Sequence, residues 1–77
     1  MKSAQQKVKE FTTLAGQATP SEPTESTDDV RRLRHALIRE ELEEYWSARD
    51  IVEIADAIGD MLYVVLGAAV SHGLDIE

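Results

Sequence analysis

Two groups of acidic residues stand where core-forming helices would be expected to carry apolar ones. Glu40, Glu41 and Glu44 fall within LIREELEEYW, and Glu53, Asp56 and Asp60 within VEIADAIGDML. Carboxylates on an apolar face are costly unless something charged meets them. Glu41-x-x-Glu44 and Glu53-x-x-Asp56 are i, i+3 pairs, so on helices the members of each pair converge on one side. If the two helices pack antiparallel across a short turn, both pairs reach about one level. The set offers four to five carboxylate oxygen donors with no histidine or cysteine among them, which suits a hard cation, Mg2+ or alternatively Mn2+. Mg2+ shares its shell with substrate phosphates, so an all-carboxylate cluster fits phosphate-processing chemistry. An iron pair in a helical bundle would want Glu-x-x-His on two helices. Neither glutamate pair has a histidine at that offset.

The elements that must position these acids are helical. Ser3 to Ala15 carries Val8, Phe11 and Leu14 at roughly helical spacing and predicts a short amphipathic helix. Gly16 to Thr27 (GQATPSEPTEST) has little to bury, and Pro20 and Pro23 interrupt helix. It reads as a flexible loop, with a lid over a site as the functional alternative. Ser26, Thr27 and Asp28 supply N-caps for a second helix from about Asp28 to about Ala48. Counting about 100° per residue from Leu37 places Val30, Leu33, Ala48, Glu41 and Glu44 within about 40° of it. Both glutamates therefore lie on the apolar stripe, with Glu40 at its edge and Glu43 pointing away. Arg34 falls about 60° from Leu37 by that count, where it reaches a phosphate or pairs with a glutamate. Leu42 and Trp46 face the other way, which implies a second buried surface against another chain.

Ser47 to Asp50 predicts a tight connection, and Ile51 to about Ser71 a last helix with Gly73 as C-cap. This helix is apolar nearly all round and reads as a buried bundle helix. Its uncharged run is too short to span a bilayer. Glu53, Asp56 and Asp60 share one of its faces, within about 60°. His35 and His72 read as surface or capping residues, and Trp46 and Tyr63 as packing residues.

At 77 residues the chain is one domain, and a helical chain this short is steadier as an oligomer. It has no cysteine, so neither a disulfide framework nor a thiolate metal site is available. The formal net charge of −7 argues against an extended nucleic-acid-binding surface. Half of the basic residues nevertheless crowd beside the first acidic group, as Arg31, Arg32, Arg34 and Arg39. A small anionic ligand bridged to the carboxylates by a metal fits that arrangement. MKSAQQKVKE lacks the apolar segment of a secretory signal, and a cytoplasmic location is the expectation.

LIREELEEYWSARD and VEIADAIGDMLYVVLGAAVSHGLD, together about half the chain, resemble the all-α nucleoside triphosphate pyrophosphohydrolases. That superfamily includes MazG-like proteins and phosphoribosyl-ATP pyrophosphohydrolase. The likeness rests on Glu-x-x-Glu followed by Glu-x-x-Asp and then Asp-Met-Leu-Tyr. It implies a helical bundle that dimerises or forms dimers of dimers, and Mg2+-dependent cleavage of an α–β phosphoanhydride to a nucleoside monophosphate and pyrophosphate. By matching position, it implies Glu41 and Glu44 as metal ligands of the first motif and Glu53 and Asp56 as those of the second. Asp60 would be a ligand or a supporting acid, and Glu40 the residue that orients or deprotonates the attacking water. Members of the group continue into further helix and basic residues that help hold phosphates. A chain ending at Glu77 is accordingly expected to be shortened at its C-terminus, to borrow those groups from a partner subunit, or to have lost catalysis.

The reading is thus a single all-α domain over residues 1–77. A helical hairpin plus a short N-terminal helix would complete a four-helix bundle by dimerisation, as a homodimer or homotetramer. It would act on a nucleoside triphosphate or related phosphorylated nucleotide, with no nucleic acid or membrane as partner. The alternative is a non-catalytic helical dimerisation module, a truncated relative whose acids only pair with Arg34, Arg39 or Arg49.

Overall fold

A computed structural model of the chain describes residues 1–76. It runs α1 (Ala4–Leu14), α2 (Asp28–Ser47) and α3 (Ile51–Ser71), with no strand among the described residues. Each helix starts where a side chain takes up an otherwise unpaired backbone N–H. Ser3 caps α1 in a reciprocal box: its hydroxyl accepts from Gln6 N, and the Gln6 side chain accepts from Ser3 N at 2.8 Å. Thr27 caps α2 through Val30 N (3.2 Å), and Asp50 caps α3 through Glu53 N (2.9 Å). Thr12 and Thr13, poor helix formers, return their hydroxyls to the carbonyls of Val8 and Lys9.

The residues between α2 and α3 leave room only for a tight turn, so the two helices form an antiparallel hairpin. The less exposed positions of α2 are Val30, Arg34, Leu37, Ile38 and Glu41, followed by its C-cap Ala48, set against buried Ala57, Val64, Gly67 and Ser71 of α3. By helical phase the centre of this seam lies about 40° from Leu37, on the Glu41 side. That rotation leaves Leu33, expected on the stripe, about half exposed and brings Arg34 and Ile38 inward.

Helix α1 packs on the C-terminal part of α3, where Val8, Leu66 and Val70 form the buried cluster. Phe11 meets Tyr63 edge-on, with ring centroids 6.2 Å apart. Because α1 covers only that end, the rest of α3 is not enclosed on all sides within one chain. Ile51, Ile58, Leu62 and Val65 remain exposed and, with Ala55, recur at alternating spacings of four and three. Leu42 and Trp46 are open as well, Trp46 at 83%.

The segment from Gly16 to Thr27 is tied to the far end of the hairpin. Thr24 N donates to the His72 carbonyl (2.8 Å), and His72 Nδ1–H donates to the Thr24 carbonyl (3.0 Å). His72, read as a surface or capping residue, thus ends α3 as its C-cap and fastens the loop, with Gly73, the expected C-cap, one residue later at φ +65. Beyond it, the Gln5 amide donates to the Leu74 carbonyl and accepts from Ile76 N, tying the tail to α1. Eleven residues of α3 separate Asp60 from His72, so this attachment of the loop lies about 18 Å along the axis from Asp60. No described helix is long and apolar enough to cross a membrane.

Candidate active site

Glu41 sits at the centre of the α2 seam, and Glu44 follows one turn later at its margin. The phase difference explains why Glu41 is half-buried and Glu44 exposed. From α3, Asp60 comes to the same level, and one carboxylate oxygen from each of the three residues lies within 4.8 Å of the others. Among the described residues Glu41 Oε2 is the buried side-chain oxygen without a hydrogen-bond donor. A buried acceptor left without a donor is uncommon and calls for a missing partner.

The electrostatics follow from this crowding. Glu41 can meet Glu44 only by sharing a proton, and that hydrogen bond is the largest influence lifting its pKa from 4.5 to about 7. Desolvation adds to it, followed by the charges of Glu44, Asp60 and Glu40. The direction sets a pH dependence. Between pH 4.5 and about 7 the folded chain holds the Glu41 proton more tightly than the unfolded chain does. The resulting stabilisation is complete below 4.5 and is lost as pH rises through about 7. Thermal unfolding in chelator at fixed ionic strength should therefore show lower stability at pH 8 than at pH 5. Glu41→Gln should flatten that part of the profile, and an unchanged slope in the variant would remove Glu41 as its source.

A divalent cation fits this set. Three carboxylate oxygens converge, one of them lacks a donor, and oxygen-only ligation suits Mg2+ or Mn2+. The remaining acids are placed differently. Glu53 lies two turns before Asp60, beside the connection, where its carboxylate accepts from Arg49 Nε at 2.9 Å and from Arg49 N at 3.4 Å. Asp56 is exposed on the turn between them, and Glu40 is exposed beside Glu41. The structure thus brings Glu41 and Glu44 to Asp60 rather than to Glu53. The reason is level: Glu41 lies two turns before the connection, so its counterpart on α3 lies at least two turns after it.

Arg34 stands two turns before Glu41 on the same flank of α2. Its guanidinium donates through Nε to Ser71 Oγ (2.9 Å) and through Nη2 to Gln17 Oε1 (3.2 Å). Neither Gln17 nor Ser71 was marked by sequence reading, because both contacts are tertiary and neither residue type is distinctive. Tyr63 is a packing residue, as read, whereas Trp46 has no packing role within one chain.

The family model for phosphoribosyl-ATP pyrophosphohydrolase matches residues 8–77, nearly the whole chain. No curated protein matches it. The matched span takes in both carboxylate-bearing helices, Arg34 and the loop that precedes α2. The chain belongs to the phosphoribosyl-ATP pyrophosphohydrolase family, within the MazG-like superfamily of all-α pyrophosphohydrolases.

Proposed function

We propose that this chain hydrolyses the α–β phosphoanhydride of a nucleoside triphosphate or related phosphorylated nucleotide, releasing a nucleoside monophosphate and pyrophosphate. The observation that carries the reading is the convergence of Glu41, Glu44 and Asp60 around an acceptor oxygen with no donor, in a chain of this family. Those three residues would hold Mg2+ or Mn2+. Asp56 and Glu53 would add carboxylates from the preceding turns of α3, Glu53 after releasing Arg49. When bound, the ion offsets charge on the phosphates and makes a water more acidic. Glu40 would orient the attacking water and accept its proton. The water oxygen bonds to the α phosphorus, and the bond from that phosphorus to the α–β bridging oxygen breaks, so that pyrophosphate leaves. Arg34 contacts a phosphate of the substrate as a fixed cation.

The working unit in this reading is a homodimer, itself able to pair into a homotetramer. The exposed stripe Ile51, Ala55, Ile58, Leu62 and Val65 has the alternating spacing of helices that pack nearly parallel to one another. A second copy laid on it would complete a four-helix bundle from two hairpins and give α3 its remaining cover. Leu62 is 56% exposed in one chain, and Leu62→Ala should weaken self-association roughly tenfold in dissociation constant. Sedimentation equilibrium across a concentration series measures this; a wild-type chain that stays monomeric would remove the dimer.

The test of the activity is a panel of nucleotides with Mg2+ and with Mn2+, following pyrophosphate and orthophosphate separately. Pyrophosphate with a monophosphate is the expected pair, and orthophosphate as the sole product would reject α–β cleavage. The pairing of Glu53 with Arg49 is what the non-catalytic dimerisation module would show at every acid. Under that second reading the panel is silent and divalent cations leave the melting temperature unchanged.

A further inference from the structure

Arg34 is half-buried in a chain rich in acids, yet among the described residues no carboxylate lies within ion-pair distance of it. What meets it is neutral: the Ser71 hydroxyl, the Gln17 amide oxygen and the bare backbone at Gly67. A Cβ at residue 67 would stand 2.8 Å from Arg34 Nη1, so the guanidinium occupies the space that this glycine leaves. Neutral acceptors fix a guanidinium plane without cancelling its charge. An arginine has five N–H donors, and the two hydrogen bonds above leave the others to aim elsewhere. Exposed Arg31 follows on the same flank one turn nearer the start of α2, also without an ion pair among the described residues.

We propose that Gln17, Ser71 and Gly67 are positioning residues that hold Arg34 uncompensated so that it can take a phosphate group of the ligand. Arg34 stands seven residues from Glu41, about 10 Å along α2, so its phosphate is one not shared with the carboxylates. The arrangement also gives the segment before α2 a role, since Gln17 carries one wall of the subsite. The naming of that phosphate as part of a nucleotide rests on the pyrophosphohydrolase reading. The existence of an anion subsite does not.

The decisive variant is Gln17→Glu, which keeps an acceptor beside Arg34 but adds the charge that the native cradle withholds. Its melting temperature should match or exceed that of the wild type, because the clamp among loop, α2 and α3 becomes an ion pair. In hydrolysis its KM should rise about tenfold or more with kcat within about twofold, as expected for loss of binding shared by ground and transition states. Gly67→Ala should displace the guanidinium and raise KM in the same direction. Mn2+ affinity, read by electron paramagnetic resonance, should be unchanged in Gln17→Glu. The independent arm uses inorganic phosphate and pyrophosphate with metal-free protein in chelator, following the Arg34 Nε–H resonance. The wild type should shift on titration, and Gln17→Glu should bind at least about tenfold more weakly. Silence in the nucleotide panel with this arm positive would overturn the hydrolase reading and leave the subsite standing. A wild-type chain that binds neither anion, or a Gln17→Glu chain that binds both normally, would show Arg34 to be a structural clamp and overturn the proposal.

Discussion

Replacing Glu44 with Gln is expected to abolish cation-dependent hydrolysis, by at least about 100-fold or ~3 kcal/mol, while leaving the metal-free chain no less stable. Both effects have one origin. Glu41, Glu44 and Asp60 bring three carboxylate oxygens within 4.8 Å of one another, and this crowding raises the Glu41 pKa. The amide removes one negative charge and supplies an N–H for the unsatisfied Glu41 Oε2. What helps the metal-free chain would harm metal binding, because a candidate carboxylate ligand becomes a neutral oxygen. Ligand linkage makes the contrast measurable: saturation at 100 times the dissociation constant adds about 2.7 kcal/mol. The wild type should therefore melt at higher temperature with Mg2+ or Mn2+, and Glu44→Gln should not. Retained activity within about twofold in the variant would remove Glu44 from the site. A wild type indifferent to both ions, with no gain in the metal-free variant, would mean that the acids are only surface charge.

How far the chain could be read in advance depended on whether a feature is set locally. Ser3, Thr27 and Asp50 cap their helices through bonds that span three residues, so the boundaries of α1, α2 and α3 were legible. The phases of Glu41 and Glu44 on α2 were legible for the same reason. Level across the hairpin was not. Helical phase places Glu53 and Asp60 on one face, but only the turn after Ser47 and the local capture of Glu53 by Arg49 decide which of them meets Glu41. Helical phase leaves Arg34 between a phosphate and a glutamate because its partners, Gln17 and Ser71, lie 17 and 37 residues away. The apolar surface of α3 was plain in the sequence. That α1 would cover only the end around Leu66 and Val70 was not, because hydropathy marks what needs cover and not what supplies it.

The tertiary contact least visible in the sequence carries the second large prediction. Gly73→Ala should destabilise the chain by about 3 kcal/mol, a fall of roughly 12–24 °C in melting temperature. Gly73 has φ +65, in the left-handed region that costs an L-residue about 1–2 kcal/mol. Conformation is only part of the effect. A Cβ there would lie 2.1 Å from the Glu22 carbonyl oxygen and 3.1 Å from that of Pro20, both backbone atoms that cannot swing aside. Relief requires the loop to lift, which breaks the two hydrogen bonds joining Thr24 and His72, at about 1 kcal/mol each. The reduced freedom of the unfolded chain returns somewhat under 1 kcal/mol. Gly16 separates the two contributions, since its φ is +81 but nothing lies within 4 Å of its Cβ position. Gly16→Ala should therefore show only the conformational cost, so equal losses in the two variants would mean that the loop does not rest on Gly73. If it does rest there, Gly73→Ala should also expose the amide of Thr24 to hydrogen exchange. It should leave the cation response of Glu41, Glu44 and Asp60 unchanged, since Asp60 lies thirteen residues and about 20 Å from Gly73.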